Sequence, residues 1–242
     1  MHKANLVFLD TETTGVGSED RLCQVAYKFH DMEMTGLFRP PVPIGIDAMA
    51  ISHITNKMVL DKEIFLNSAM YKDLVEIFSK GRIFVAHNAD FDVEMLRREN
   101  LAIEKRIDTF KLAQYLDVNG EVPKYALQYL RYYYALDVEN APAHDALGDI
   151  RVLEKLFDYY FEQMQKKEKD VEKVIQEMLT VSARPILIKK FNFGKYAGTE
   201  VAKVAQENRG YLQWLLNEKT RMKEQEESND ENWIYTLKHY LG

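Results

Sequence analysis

An unbroken apolar run, NLVFL at residues 5–9, leads straight into DTETTG at 10–15. A run of that composition and length reads as a buried strand. Side chains alternate faces along a strand, so Asp10 and Glu12 point the same way if the strand persists through Thr11. Two anions held together at the end of an apolar strand repel one another and lose hydration, and a divalent cation is the natural remedy. The bland alternative is that Asp10 begins a turn and Glu12 faces water. The rest of the chain has to choose.

A chain of 242 residues is long enough for one large domain with an appendage. With 46% hydrophobic and 29% charged residues it reads as globular rather than disordered. No stretch reaches the roughly 18 apolar residues of a membrane span, and MHKANLVFLD is too short and too soon acidic for a signal peptide. A cytoplasmic protein without a membrane partner is expected. The single cysteine, Cys23, lies in the apolar stretch LCQVAY, which suits a small buried hydrophobe and leaves no disulfide framework or cysteine-based zinc site. The formal charge of −6 is uneven: residues 166–242 hold 14 Lys/Arg against 12 Asp/Glu, residues 1–165 hold 18 against 26. Acidity of this kind is compatible with nucleic acid if it is concentrated where cations bind and phosphate follows the metal.

NLVFLD and LCQVAYKFHD suggest a hairpin turned by TGVGSED. A Pro-rich loop, FRPPVPIG, and a short stretch, IDAMAISHIT, precede an amphipathic helix around KEIFLNSAMYKDLVEIFSK. RIFVAH is a further buried strand running directly into the helix FDVEMLRREN. IDTFKLAQYL repeats that alternation, followed by YALQYLRYYYAL and a long helix from about Asp145 to Gln165. Strands alternating with helices imply a mixed α/β layer structure. Beyond Gln165 a charged amphipathic helix, QKKEKDVEKVIQEML, is broken by 182–185. A strand-like PILIKKFNFGKYAG, a helical VAKVAQENRGYLQWLLNE, an acidic turn-prone EQEESNDEN and a last helix, WIYTLKHYL, complete the chain. The expected division is 1–165 for the main domain, 166–181 for a helical linker and 182–242 for a small C-terminal α+β module.

The long helix tests the cation idea independently. At ~100° per residue, Ala146, Ile150, Leu153, Phe157, Tyr160 and Met164 share one stripe, and Asp149 lies about 60° from its centre. Arg151, Lys155 and Asp158 fall on the far side. Asp149 therefore faces the sheet, where an unpaired carboxylate is costly, and a cation shared with Asp10 and Glu12 would serve it. His144, five residues earlier, cannot share that face and projects from the preceding loop, with Asp145 as a plausible N-cap. HNADFD at 87–92 places more acids at the end of RIFVAH: Asp92 shares a helical face with Met95 and Leu96, while Asp90 suits an N-cap. Pattern alone leaves both open.

These three stretches together resemble the DEDDh branch of the 3′–5′ exonucleases, an RNase H-like fold of mixed β-sheet flanked by helices. Its members include polymerase proofreading subunits, ribonuclease T, oligoribonuclease and exonuclease X, and the resemblance covers roughly residues 4–162. DTETTG matches the first motif. HNADFD matches the second, H-N-x-x-F-D, which singles out Asp92 and puts Asp90 in a variable slot. HDALGD at 144–149 matches the third. The resemblance implies hydrolysis of a phosphodiester with two divalent ions, Mg²⁺ or Mn²⁺, in an oxygen-rich site. It implies that Asp10 bridges both ions, that Glu12 and Asp149 complete the first, that Asp92 acts at the second, and that His144 is the general base. It also implies a pocket accepting only a chain end, built from the first motif and a segment ending H-x-I-T, here SHIT at 52–55. Thr13, His53 and Asn88 are the candidates to hold the terminal nucleotide. Ile46, Met49 and Ile51 suit core packing as well as base stacking.

Between Ser182 and Gly210 stand Arg184, Lys189, Lys190, Lys195, Lys203 and Arg209 against Glu200 and Glu207. KKFNFGKYAG interleaves cations with Phe191, Phe193 and Tyr196, a composition suited to phosphate contact and stacking on unpaired bases, which makes Lys189, Lys190 and Lys195 nucleic-acid candidates. A hairpin with core aromatics and solvated lysines explains the same residues. The stretch resembles the accessory module behind exonuclease X-like nucleases, which favours DNA as substrate. Single-stranded or frayed 3′ ends are the expected partner, within a repair or polymerase complex, and RNA is the runner-up, since nothing here reads a 2′-hydroxyl. A haloacid dehalogenase-like phosphatase would need Asp where Glu12 stands. A non-catalytic nucleic-acid or polymerase-binding scaffold would be favoured by loss of an acid or the histidine, and all are present.

Overall fold

The computed structural model describes residues 3–139, 146–191, 193–225 and 230–242. Two compact units emerge: Met1–Ala113 with Lys124–Ala183, and Gln114–Pro123 with Arg184–Gly242.

In the first unit, β1 (Leu6–Thr13), β2 (Leu22–Phe29), β3 (Met32–Leu37), β4 (Ile83–Ala86) and β5 (Arg106–Asp108) form one mixed sheet in the order β3-β2-β1-β4-β5. β1 is central, antiparallel to β2 and parallel to β4, which is parallel to β5. The hairpin expected from the sequence is β1 and β2. The edge strand β3 was not evident: it is short, largely exposed and mostly polar or Met, so it lacks the apolar alternation that marks a half-buried strand. It follows β2 through a tight turn in which His30 adopts φ 55.

Parallel neighbours need a crossover, and the chain between β2–β3 and β4 provides one with α1 (Ile46–Ser52), α2 (Asn56–Val59) and α3 (Ala69–Ser79). The amphipathic stretch 62–80 begins as a 3₁₀ turn at Phe65–Asn67, and α3 starts only after Ser68, whose hydroxyl accepts from the Tyr71 N–H as an N-cap. α4 (Ala89–Arg98) follows β4, α5 (Thr109–Leu116) follows β5, then come α6 (Leu127–Tyr133), α7 (Ala146–Gln165) and α8 (Val171–Ser182).

The run Leu6–Leu9 is no more than 3% exposed at any residue because both faces of β1 are covered. Val7 and Leu9 join a core with Leu74 of α3 and Met95 and Leu96 of α4. On the opposite face Phe8 meets Phe157 of α7 edge to face, ring centroids 5.5 Å apart. Each such side chain contributes roughly 1.5–3 kcal/mol through burial. All six residues of the expected α7 stripe are buried. The segment read as a linker carries α8, which buries Val174 and Met178 within the first unit. Its last residue ties it to β5: Ser182 Oγ accepts from the Asp108 N–H at 2.8 Å and donates to Met178 O at 2.7 Å.

The second unit contains α9 (Val201–Glu207), α10 (Arg209–Glu224) and α11 (Glu231–Leu241) around Phe191, Val201, Val204, Leu212, Leu215, Trp233 and Leu237. The strand-like PILIKKFNFGKYAG makes one isolated bridge among the described residues, Lys190 with Glu200. Its Ile186 and Ile188 N–H groups bond instead to Asn232 Oδ1 and Thr236 Oγ1 of α11, at 3.0 and 2.8 Å, so side chains replace the partner strand. Phe191 stacks on Trp233 at 5.0 Å, and Phe193 and Tyr196 pack on the same core.

Candidate active site

Asp10 and Glu12 leave the same face of β1, where alternation directs them toward α7. α7 brings Asp149 to them from its first turn: one oxygen each of Asp10, Glu12 and Asp149 lie within 4.8 Å of one another. Thr11, on the other face of β1, donates a 2.6 Å hydrogen bond to Asp92 Oδ1 in α4. Asp92 is 4% exposed, and its charge acts on Asp10 more strongly than that of Glu12 or Asp149. Asp90, two residues earlier, turns instead to Arg106 at 2.6 Å and Lys111 at 2.8 Å.

The loop entering the site runs close to Asp20 at Gly15. Asp20 bonds to Thr14 Oγ1 at 2.6 Å and to the Gly17 N–H at 2.7 Å, and a Cβ on residue 15 would lie 2.5 Å from its carboxylate. A side chain at residue 15 would have to push the Asp20 carboxylate out of these two hydrogen bonds.

The four carboxyls oppose one another. Burial, then the charges of Asp92, Glu12 and Asp149, holds Asp10 well above the usual carboxylate range. Burial and Asp149 push Glu12 up to about 7. Burial pushes Asp92 up to about 7 despite the Thr11 hydroxyl, which acts the other way. Among the described residues, no Lys or Arg side chain pairs with Asp10, Glu12 or Asp92. Hard oxygen donors, buried or half-buried side by side and mutually destabilised as anions, fit a divalent cation.

His144 and Asp145, the expected N-cap of α7, lie outside the described residues. Of the terminal-nucleotide candidates, Thr13 is buried with its hydroxyl donated to Gly15 O at 2.7 Å. His53 is exposed and caps α1 with φ 58. Asn88 is exposed at φ 67, its N–H donated to Asp108 Oδ1 at 3.0 Å. Ile46 and Ile51 are exposed rather than core. In the second unit, Lys189 donates to Asp117 O and Lys190 to Gly120 O at 2.9 Å, both within that unit. Lys195 is exposed, with Nζ 4.9 Å from the ring centres of Tyr196 and Tyr211. Cys23 is fully buried, and burial pushes its thiol up to about 12.

Three residues around the acids escaped the sequence reading. Thr11 was legible in principle, since alternation puts it opposite Asp10 and next to any helix on that face. Asp108, whose Oδ1 accepts from the Asn88, Phe110 and Lys111 N–H groups, anchors the turn into α4. Gln128 of α6, whose Nε2 donates to Asp149 Oδ1, had no local signal at all.

Comparison with known proteins fits this geometry. The exonuclease family profile matches residues 7–157, and that of the exodeoxyribonuclease X-like C-terminal family matches 191–219. The chain belongs to the exonuclease family and is a 3′–5′ exonuclease with an RNase H-like fold. Exodeoxyribonuclease 10 of Escherichia coli (strain K12) is 33% identical to it over 211 residues, 86% of this chain and 84% of that protein. The DNA polymerase III subunit epsilon of Treponema pallidum (strain Nichols) is 34% identical over 163 residues, 61% of this chain and 72% of that one. Among solved structures, Exonuclease X in complex with 5′ overhanging duplex DNA matches with a TM-score of 0.55 and 27% identity, over 73% of this chain and 99% of that chain.

Proposed function

We propose that this exonuclease hydrolyses DNA from the 3′ end, releasing mononucleotides, and that Asp10, Glu12, Asp92 and Asp149 hold the two Mg²⁺ or Mn²⁺ ions the reaction needs. The observation that carries the reading is the convergence of acids from β1 and α7 within 4.8 Å, with Asp92 pinned beside Asp10 by Thr11. Bound divalent cations supply positive charge that favours water as a nucleophile and stabilises the negative charge of a phosphodiester under attack. Asp10 stands between the Glu12–Asp149 pair and Asp92 electrostatically, which suits it to serve both ions. Thr11 favours the charged form of Asp92 against the burial that disfavours it, and bound cations would favour it further. His144 is proposed as the general base that removes the proton from the attacking water.

Relatives that act on DNA, including one solved with overhanging duplex DNA, support single-stranded or frayed DNA 3′ ends as the substrate. The epsilon-subunit relatives favour a repair or proofreading setting, with a polymerase or repair complex as partner, in the cytoplasm. Thr13, His53 and Asn88 are proposed around the terminal nucleotide, and Lys189, Lys190 and Lys195 as DNA contacts. Purified protein with Mg²⁺ or Mn²⁺ and 3′-labelled single-stranded DNA, duplex DNA and RNA tests this. Mononucleotides should appear from DNA faster than from RNA, and Asp92→Ala, Asp149→Ala and His144→Ala should each abolish them. Faster release from RNA would reverse the substrate assignment, and cleavage indifferent to chelation would end the metal reading.

A further inference from the structure

Gln128 makes a contact that neither the fold nor the three acidic motifs require. α6 packs against α7 with its Leu130 fully buried, and Gln128 reaches the first turn of α7. There its Nε2 donates to Asp149 Oδ1. The orientation of the amide is dictated by its neighbours: a carboxylate only accepts, and Arg131 Nη1, 3.5 Å from Gln128 Oε1, only donates. Arg131 is itself tied down, donating from Nη2 to Val138 O at 2.8 Å.

We infer that Gln128 is a positioning residue for the cation site, fixing the Asp149 carboxylate so that it presents a preset donor to a divalent ion. This rests on the metal reading above. The chemistry of the side chain is what makes the inference specific. Lys or Arg at this position would neutralise Asp149 and compete with the cation for the cluster. Glu would add another negative charge to a set already strained by repulsion. A neutral amide donor satisfies one buried lone pair while leaving the full negative charge available to the ion, which is what an outer partner of a ligating carboxylate is for. The oxygen it bonds belongs to a carboxylate that meets those of Asp10 and Glu12 within 4.8 Å, so the amide bears directly on how that acid faces the cation site.

Isothermal titration of the metal-free protein with Mn²⁺ alone tests the inference without reference to turnover. Gln128→Ala should weaken Mn²⁺ binding by about 10–100-fold. Its kcat at low Mn²⁺ should fall by a similar factor and recover as Mn²⁺ is raised, while KM for DNA holds at saturating Mn²⁺. Gln128→Glu should lose that recovery, because it repels Asp149 instead of donating to it. Thermal melts of the metal-free proteins identify any variant that has simply unfolded, in which case Gln128→Met, which keeps the length without the donor, replaces Gln128→Ala. If wild type binds Mn²⁺ and a folded Gln128→Ala or Gln128→Met binds it within twofold as tightly, the inference is wrong and the metal reading stands. If wild type itself binds no Mn²⁺, the metal reading falls first.

Discussion

Thr11 shows how much one hydroxyl can decide. It sits between two acids in sequence yet faces away from them, and it holds the only one of the four carboxyls that comes from α4. Thr11→Val keeps shape and strand propensity while removing the donor, leaving Asp92 buried without it. We expect kcat to fall about 10–100-fold with the fold intact by circular dichroism, and Thr11→Ser to restore most of it. A Val variant as active as wild type would show that Asp92 needs no such support. His87 offers a test of stability rather than activity. Its Nε2 lies 2.7 Å from Tyr125 O, a contact only a ring N–H can make, so Nδ1 is the acceptor for the Thr109 hydroxyl at 2.9 Å in the neutral ring. Burial lowers this histidine from 6.5 to about 4. Below pH 6.5 the unfolded chain therefore binds a proton that the folded chain refuses, and stability falls as pH drops from 6.5 toward 4, by on the order of 1–3 kcal/mol. Urea melts across that range should show the wild type losing stability faster than His87→Gln. Parallel curves would mean that His87 titrates alike in both states.

At the level of elements, the site is the meeting of β1, α4 and α7, and its accuracy depends on how firmly α7 lies on the sheet. Phe157 does much of that, fully buried and edge-on to Phe8, which directly precedes the Leu9–Asp10 step. Lys3 and Lys28 add partly exposed ion pairs to Glu154 on the same helix, at 2.9 and 2.8 Å, which salt would weaken. Phe157→Ala should cost about 3–5 kcal/mol in chemical denaturation. Because Asp149 is two turns away on that helix, activity should fall even at temperatures where the variant stays folded; full activity there would show that the first turn of α7 is positioned independently. The hydrophobic stripe of α7 and the buried run of β1 were legible because each repeats with its own period, 3.6 and 2. β3 and the late start of α3 were not, because a polar edge strand and a 3₁₀ entry carry no periodic signal.

For the molecule as a whole, the second unit separates lysines that looked equivalent in the sequence. Lys189 and Lys190 are spent on backbone carbonyls of 114–123, whereas Lys195 lies over tyrosine rings at the surface. Of the three, Lys195→Ala should therefore account for most of any loss in DNA affinity, lowering the salt dependence of binding by about one unit of slope, while Lys189→Ala acts mainly on the stability of its unit. Fluorescence anisotropy at several salt concentrations would settle the matter; an unchanged slope for Lys195→Ala would remove this lysine from the interface. The acids of the proposed chemistry were written locally: an apolar strand ending in Asp10 and Glu12, a helix with Asp149 turned toward its core face, and a fourth acid after another buried strand are each readable from a dozen residues. Residues far apart in the chain had to be folded together before the rest could be known. Whether Asp90 or Asp92 joins the cluster, that Thr11 and Gln128 hold its members, and that the C-terminal aromatics fill a core instead of pairing as a strand are decided by which side chains become neighbours, and neighbours across 20 to 80 residues leave no local pattern to read.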